Sequence, residues 1–465
     1  MWSGRFRQPL DPEFERWQRS FSFDRKLLIH ELAASAAHAR ALQSAGVLTT
    51  EELNAILTGL AKIGGLAKTC HEFLKDDQAE DVHHFVERQL AALIGDTAYK
   101  LHSGRSRNEQ VATGLRLYVR TGIDELLMKL SEFMEALLAR AEESGSAAMP
   151  AYTHTQRAEP VLVAHWLLAY FEMLARDRDR LLDCRKRVNV CPLGSGALAG
   201  ATLPLNRAAM ARETGFEEIT ANSIDATSDR DFILEFVNAL SLLSLHLSRW
   251  AEEMILFSTQ EYGFIQLPEA FSTGSSAMPQ KKNGDLLELV RGKAARVLGH
   301  ATALQVCTKG LTLAYNKDLQ ETQEPLFDAT ETIAQILPLV SGWMKEARFA
   351  FGRMQQAADS GFMNAFAAAT YLVQRGVPSR MAHEAVGQAV QLCVERGCEL
   401  QDLELETLRT FHPVFGPDVY TFLKLESVLS IHDVPGGTAP SQVKQAVAAA
   451  RQRLLSMRGE VHAHA

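Results

Sequence analysis

Three polar stretches of this 465-residue chain carry the residue types from which an anion site, with proton transfer inside it, can be built. The first is STGSSAMPQKKNGD, residues 272–285, which runs directly into the helical pattern LLELVRGKAARVLGH. A Gly-Ser loop with two lysines feeding a helix N-terminus offers hydroxyls, ammonium groups and free amides to an anion. It is not a Walker loop, because G-x-x-x-x-G-K-[ST] is absent. Read by itself it is either a mobile anion-binding loop or a solvated turn with Asp285-x-x-Glu288 as a capping box. The other two stretches are His102-Ser103-Gly104-Arg105-Ser106-Arg107-Asn108-Glu109 and Tyr152-Thr153-His154-Thr155-Gln156-Arg157. Both offer hydroxyl, amide and guanidinium donors, and both would look the same as capping loops. His154 alone reads as a structural histidine at least as readily as a catalyst.

Two further motifs give way to blander readings. Gly194-Ser195-Gly196-Ala197-Leu198-Ala199 fits the dinucleotide pattern G-x-G-x-x-A, and Glu217 comes at about the spacing of its ribose-binding acid. That pattern needs a strand before it and a helix after it, whereas helical chain precedes this loop and Pro204 interrupts any helix after it. Glu80-Asp81-Val82-His83-His84 holds metal-ligand residue types, yet no further ligands converge on it and two acids at a helix start complement its dipole. No metal is expected.

The elements that must position these loops are helices. From Val111 to Glu143 apolar residues recur at Leu115, Val119, Ile123, Leu126, Leu127, Leu130, Phe133, Met134, Leu137 and Leu138, a three-and-four spacing without proline. At about 1.5 Å per residue this helix would be on the order of 50 Å long, which calls for a bundle. Similar patterns cover His165 to Arg187, Asp231 to Phe257, Asp285 to Cys307 and Glu324 to Met354, the last with Pro338 expected to kink it. Leu234 to Leu247 is apolar or small on nearly every face, so self-association is the natural source of neighbours. Shorter patterns come before (Arg25 to Gln43, Thr49 to Ile63 with Thr49-x-x-Glu52 as a capping box, Glu80 to Ile94). Others come after (Phe362 to Arg375, Ser379 to Arg396, Ser441 to Met457), and the tail VHAHA is expected to fray. Nothing comparable alternates with period two. The expected fold is all-α.

Composition agrees with a folded chain of ordinary globular type: 46% hydrophobic and 22% charged. With 48 Lys+Arg against 56 Asp+Glu, formally −8, it lacks the cationic surplus of a nonspecific nucleic-acid or anionic-membrane binder. Six scattered cysteines without a C-x-x-C pair suggest reduced thiols in a cytoplasmic protein. The opening MWSGRFRQPLDP has no apolar core of a signal peptide.

Taken together, GSSAMPQKKN, THTQRAEP and SGRSRNEQ resemble the signature of the fumarase/aspartase superfamily, and within it the argininosuccinate lyase family. QKKN, SRNEQ and AYNKDLQE point to that branch. WSGRF, EDVHHFVERQL, LGSGALAG, ATSDRDF and Gly436-Gly437-Thr438-Ala439-Pro440 extend the likeness along the whole chain. The resemblance implies three helical domains, residues 1–105, 106–358 and 359–465, the middle one a bundle of long helices forming the core of a homotetramer whose active sites are shared by three subunits. It also implies elimination of fumarate from argininosuccinate to give arginine, with no cofactor, no nucleic acid and no membrane.

Residue by residue, the likeness makes Ser275 the general base, Lys281 and Asn283 the groups that meet the aci-carboxylate, and His154 the general acid with Glu288 as its carboxylate partner. Ser106, Arg107, Asn108, Thr153, Tyr315, Lys317 and Gln320 would hold the substrate, with Ser276, Met278, Ser20, Asp24, Asp81 and Arg230 as further contacts. The chain departs from the family pattern at Gly284 (usually proline), Glu109 and Glu31 (usually Asp), Thr155 (Leu), Glu159 (Gln), Thr322 (Asp) and Ile431 (Arg). The alternatives are a sibling eliminase acting on adenylosuccinate and an inert crystallin-like structural relative.

Overall fold

The computed structural model describes residues 7–464, with side chains over residues 7–457. The WSGRF segment, residues 2–6, lies outside the described residues. Helix accounts for 69% of the chain and strand for 6%, so the fold is all-α. Helices α1 (Leu28–Ser44), α2 (Thr50–Thr69) and α3 (Val82–Ile94) precede five long ones: α4 (Arg107–Ser144), α5 (Val163–Val188), α6 (Asp231–Ser258), α7 (Asp285–Thr308) and α8 (Gln323–Glu346). Helices α9 (Ala365–Gln374), α10 (Ser379–Arg396) and α11 (Pro440–His464) come last. Every apolar position of the α4 stripe is buried, from Leu115 to Leu138.

The structure corrects the sequence reading in three places. The pattern starting at Glu324 does not reach Met354: α8 stops at Glu346, and Arg348–Phe349 pairs antiparallel with Ile265–Gln266 before a separate helix begins at Phe351. There the backbone bonds sideways, as in Ala350 N–H to Phe264 O at 2.8 Å, instead of up the helix. Within α8 the chain continues past Pro338. Proline lacks the N–H that Ala334 C=O would otherwise accept, and Lys129 Nζ donates to that carbonyl at 3.1 Å instead. Secondly, the tail is helical to His464, since α11 is anchored by buried Val443, Ala450 and Leu454 and by Arg451 paired with Glu135 and Glu142. Thirdly, residues 148–162 form a β-hairpin, β1 (Ala148–Thr153) and β2 (Gln156–Leu162), that no alternation announced.

The chain divides into two compact units. The first comprises Met1–Leu126, Asp179–Leu242 and Ala295–Ile333. In it the expected capping box opens α2: Glu52 N–H donates to Thr49 Oγ1 at 3.2 Å and Thr49 N–H to Glu52 Oε2 at 3.0 Å. Helices α2 and α3 approach as only glycine allows, because a Cβ on Gly59 would fall 2.4 Å from Leu90 Cδ1. Phe85 is buried between Phe21 and Phe73, ring centroids at 4.7 and 5.2 Å.

The second unit comprises Leu127–Arg178, Leu243–Ala294 and Ala334–Ala465. Its core is tied by Trp250, edge-on to both Phe133 (5.1 Å) and Trp343 (5.3 Å). A further cluster packs Tyr371 and Leu372 of α9 against Ala385, Val386 and Ala389 of α10. Helix α6, which runs from the first unit into the second, is long and apolar enough to cross a membrane, and half of its most apolar stretch is buried inside the protein. Leu242, Leu245 and Leu256 are exposed along it.

Candidate active site

The residues singled out from sequence fall into two groups, one in each unit. In the first unit, Asp81 caps α3 by accepting His84 N–H at 2.7 Å, and the same Oδ1 accepts Arg107 Nη1 at 2.7 Å. One carboxylate thus starts a helix and fixes a guanidinium of the Ser106-Arg107-Asn108 loop. Asp24 is buried; it accepts Ser20 Oγ–H at 2.6 Å and Val82 N–H at 2.9 Å. Burial first, and then neighbouring Asp81, push its carboxyl up to about 7.

Beneath this loop lies a buried polar network. Glu31 accepts from Ser35 Oγ (2.7 Å) and Gln110 Nε2 (3.0 Å), and its other oxygen faces His83 Nδ1 at 2.7 Å. Arg105 donates to Ser35 Oγ at 2.9 Å. Burial alone would raise Glu31, but His83, Arg105 and Ser35 together hold it well below the usual carboxylate range.

Glu109, also buried, spreads its carboxylate between two loops. Oε1 accepts Ser106 N–H at 3.0 Å, and Oε2 accepts Gly194 N–H at 2.6 Å; the Gly196 amide reaches the same carboxylate. Both glycines have positive φ, 87° and 60°, and at Gly196 a Cβ would stand 2.7 Å from Gly200 O. Successive amides in such a turn form an anion-binding nest. The G-x-G-x-x-A loop therefore does bind an anion, and that anion is the chain's own carboxylate. Asn108 Nδ2 adds a bond to Ala197 O at 3.2 Å. In the sequence Glu109 reads as a bystander, although Ser106-x-x-Glu109 has capping-box spacing and is the signal that could have found it.

Arg230 is fully buried, with Nη1 donating to Asp229 O at 2.7 Å and with Nε and Nη2 lacking a partner among the described residues. Tyr315 lies within electrostatic reach of Arg230, Asp81, Glu80 and Arg107; burial raises its hydroxyl while Arg230 opposes the rise. Gln320 Nε2 donates to Gln18 O at 3.2 Å, and Lys317 is exposed. Asp81, Arg107, Tyr315 and Arg230 are thus brought together, and Asp24 and Ser106 are joined to them through neighbouring bonds.

In the second unit, β1 and β2 pair Thr153 with Gln156, leaving His154 and Thr155 as a two-residue turn with φ of 53° and 60°. Two positive φ values make a type I′ turn, which presents His154, exposed, at the hairpin tip. Residues Thr273–Gly274 and Lys282–Asn283 pair antiparallel and close the loop between them. Ser275 Oγ accepts amide hydrogens from Ala277 (3.3 Å) and Met278 (3.1 Å). Asn283 Nδ2 donates to Gly274 O at 3.5 Å across the neck of the loop. Ser276, Met278, Lys281 and Glu288 are exposed. Among the described residues, neither the His154 ring nor the Glu288 carboxylate has a hydrogen-bond partner, so the structure of one chain does not join that pair. Asp285 is the first residue of α7 and accepts from Thr273 Oγ1, so it does not act as the cap of a box with Glu288. Among the described residues, no cluster of His, Cys, Asp and Glu is arranged to hold a metal ion.

Comparison with known proteins adds to this geometry. A family model described as lyase matches residues 4–299, and one described as argininosuccinate lyase C-terminal matches residues 362–430. The argininosuccinate lyase of Koribacter versatilis is 57% identical over 461 residues, covering 99% of this chain and 98% of that protein. That of Acidobacterium capsulatum is 55% identical over 469 residues, covering 99% and 96%. Among solved structures, EDDS lyase in complex with formate superposes with a TM-score of 0.86 at 28% identity, covering 98% of this chain and 93% of that one.

Proposed function

The chain belongs to the argininosuccinate lyase family, carbon–nitrogen lyases that release fumarate from argininosuccinate and leave arginine, and on that premise we propose how its residues divide the reaction. Ser275 removes the proton from the carbon beside a carboxylate. A neutral hydroxyl is a weak base, and the observation that carries this role is the pair of amide N–H groups aimed at Ser275 Oγ. Those donors favour an oxygen that bears negative charge. Lys281, on the same loop, adds a positive charge. Lys281 and Asn283 then meet the extra charge of the aci-carboxylate, where donors already in place lower the barrier most.

His154 protonates the departing guanidino nitrogen, with Glu288 as its partner. Its place at the tip of a tight turn suits a group that must project into a site built from several chains. Since His154 and Glu288 have no partner among the described residues of one chain, they meet in this reading across subunits of a homotetramer. Ser106, Arg107, Asn108, Thr153, Tyr315, Lys317 and Gln320 hold the substrate's carboxylates and arginine moiety, with Ser20, Asp24, Asp81, Arg230, Ser276 and Met278 at the margins. Arg230, buried with two free nitrogens, suits a carboxylate. The domain division at residues 1–105, 106–358 and 359–465 and a cytoplasmic location belong to the same proposal.

The test is a spectrophotometric assay of fumarate release from argininosuccinate and adenylosuccinate side by side. Turnover of argininosuccinate is expected, and Ser275→Ala should lose it by about 10²–10⁴-fold while keeping its helix content. Turnover of adenylosuccinate alone would move the chain to the sibling activity, and no turnover of either would favour an inert structural role. Substantial activity in Ser275→Ala would remove that residue from the base role.

A further inference from the structure

We propose that Glu109 is a positioning residue for substrate binding and that the glycine loop Gly194–Gly200, through it, forms part of the frame of the argininosuccinate pocket. The inference rests on the proposed function, in which Ser106, Arg107 and Asn108 contact the substrate. Each of those three residues is held from a different side. Arg107 is fixed by Asp81 at 2.7 Å, the Ser106 amide by Glu109 Oε1 at 3.0 Å, and the Asn108 side chain by Ala197 O at 3.2 Å. The last two restraints both lead to the glycine loop, because Glu109 Oε2 accepts Gly194 N–H at 2.6 Å and the Gly196 amide faces the same carboxylate.

The carboxylate is therefore a two-sided clamp. One oxygen completes the N-terminal cap of α4, and the other draws in a loop whose Ala197 carbonyl accepts Asn108 Nδ2. Glu109 lies wholly out of solvent and the loop tip, Ala197 to Ala199, is exposed beside Asn108. The loop itself is held from behind: Arg207 Nε donates to Leu193 O at 2.9 Å and Arg207 Nη2 to Thr220 Oγ1 at 2.7 Å. A rigid back and an open tip are what a pocket wall requires, whereas a loop serving packing alone would have no need to aim two amides at a residue next to Asn108. Glutamate, one methylene longer than aspartate, spans both partners at once.

The test is the steady-state kinetics of Glu109→Gln and Gly196→Ala, with Glu109→Asp as the conservative control. In Glu109→Gln an NH₂ group must face an amide N–H, so one side of the clamp opens without loss of volume. Gly196→Ala disturbs the nest and leaves the carboxylate in place, since its Cβ would crowd Gly200 O at 2.7 Å. Both variants are expected to raise KM for argininosuccinate about tenfold or more while kcat stays within about threefold, and Glu109→Asp should recover part of the loss. Unchanged KM in either folded variant would overturn the proposal. So would a fall in kcat that tracks the melting temperature, which is the signature of a purely structural role. Should Glu109→Gln fail to fold, Gly196→Ala decides alone. Fumarate release by the unmodified enzyme in the same assay separates the two layers: without it the underlying function fails, and with it only the clamp is on trial.

Discussion

Asp24 shows how a single buried carboxyl in the substrate region shapes pH behaviour. Its folded-state pKa of about 7 lies above the unfolded value of 3.8, with burial as the leading cause. The folded chain thus holds this proton more tightly than the unfolded one. The stability it contributes is complete below pH 3.8 and is lost as pH rises through about 7. Asp24→Asn keeps an oxygen for Val82 N–H and never ionises. It should gain stability over the parent, by roughly 2–3 kcal/mol more at pH 8 than at pH 5, taking about 1.36 kcal/mol per pKa unit. Urea titrations at the two pH values measure this; an equal difference at both would mean that Asp24 ionises normally. None of this is legible in the sequence, where Asp24 is one acid in FSFDRK. The neighbours that set its titration come from far along the chain: Val82, whose N–H it accepts at 2.9 Å, and Asp81. The role of Ser275, by contrast, can be proposed from its motif, because the amides aimed at its hydroxyl, those of Ala277 and Met278, are sequence-local.

At the level of elements, the helices are readable and the hairpin is not. The α4 stripe repeats over many turns, and each repeat strengthens the same reading. Strands β1 and β2 hold Pro150 and Pro160 opposite one another and a register shift between Pro150 and Tyr152, so the alternation that would mark them is broken. Their turn is also unusual in composition. Thr155 is β-branched and sits at φ 60°, in a region that costs such residues roughly 1–2 kcal/mol. Thr155→Gly should relieve that strain, and after the entropy lost by glycine the net gain is expected at up to about 1 kcal/mol. Thr155→Val should gain nothing. Thermal melts of the pair test the assignment, and a loss of stability in Thr155→Gly would argue that the hydroxyl, which donates to His154 O at 2.6 Å, matters more than the backbone.

For the whole molecule, the exposed leucines of α6 are the feature that one chain leaves unfinished. Leu242, Leu245 and Leu256 are spaced by three and eleven residues, which sets them on one helical face, and each is more than a third exposed. If the parent sediments as the proposed homotetramer, Leu245→Glu is expected to yield smaller species, to keep its helix content, and to lose at least about tenfold in fumarate release, since the proposed sites draw on several chains. A variant that stays tetrameric and active would place the subunit contacts elsewhere. The same helix has a cost that falls before any catalysis begins. A ribosome extruding Asp231–Ser258 delivers to the cell a stretch long and apolar enough to be taken for a bilayer segment, half of whose most apolar part is buried in the finished chain. In the proposed homotetramer the leucines exposed along it are covered only on assembly, so an unassembled copy presents them first to chaperones and proteases.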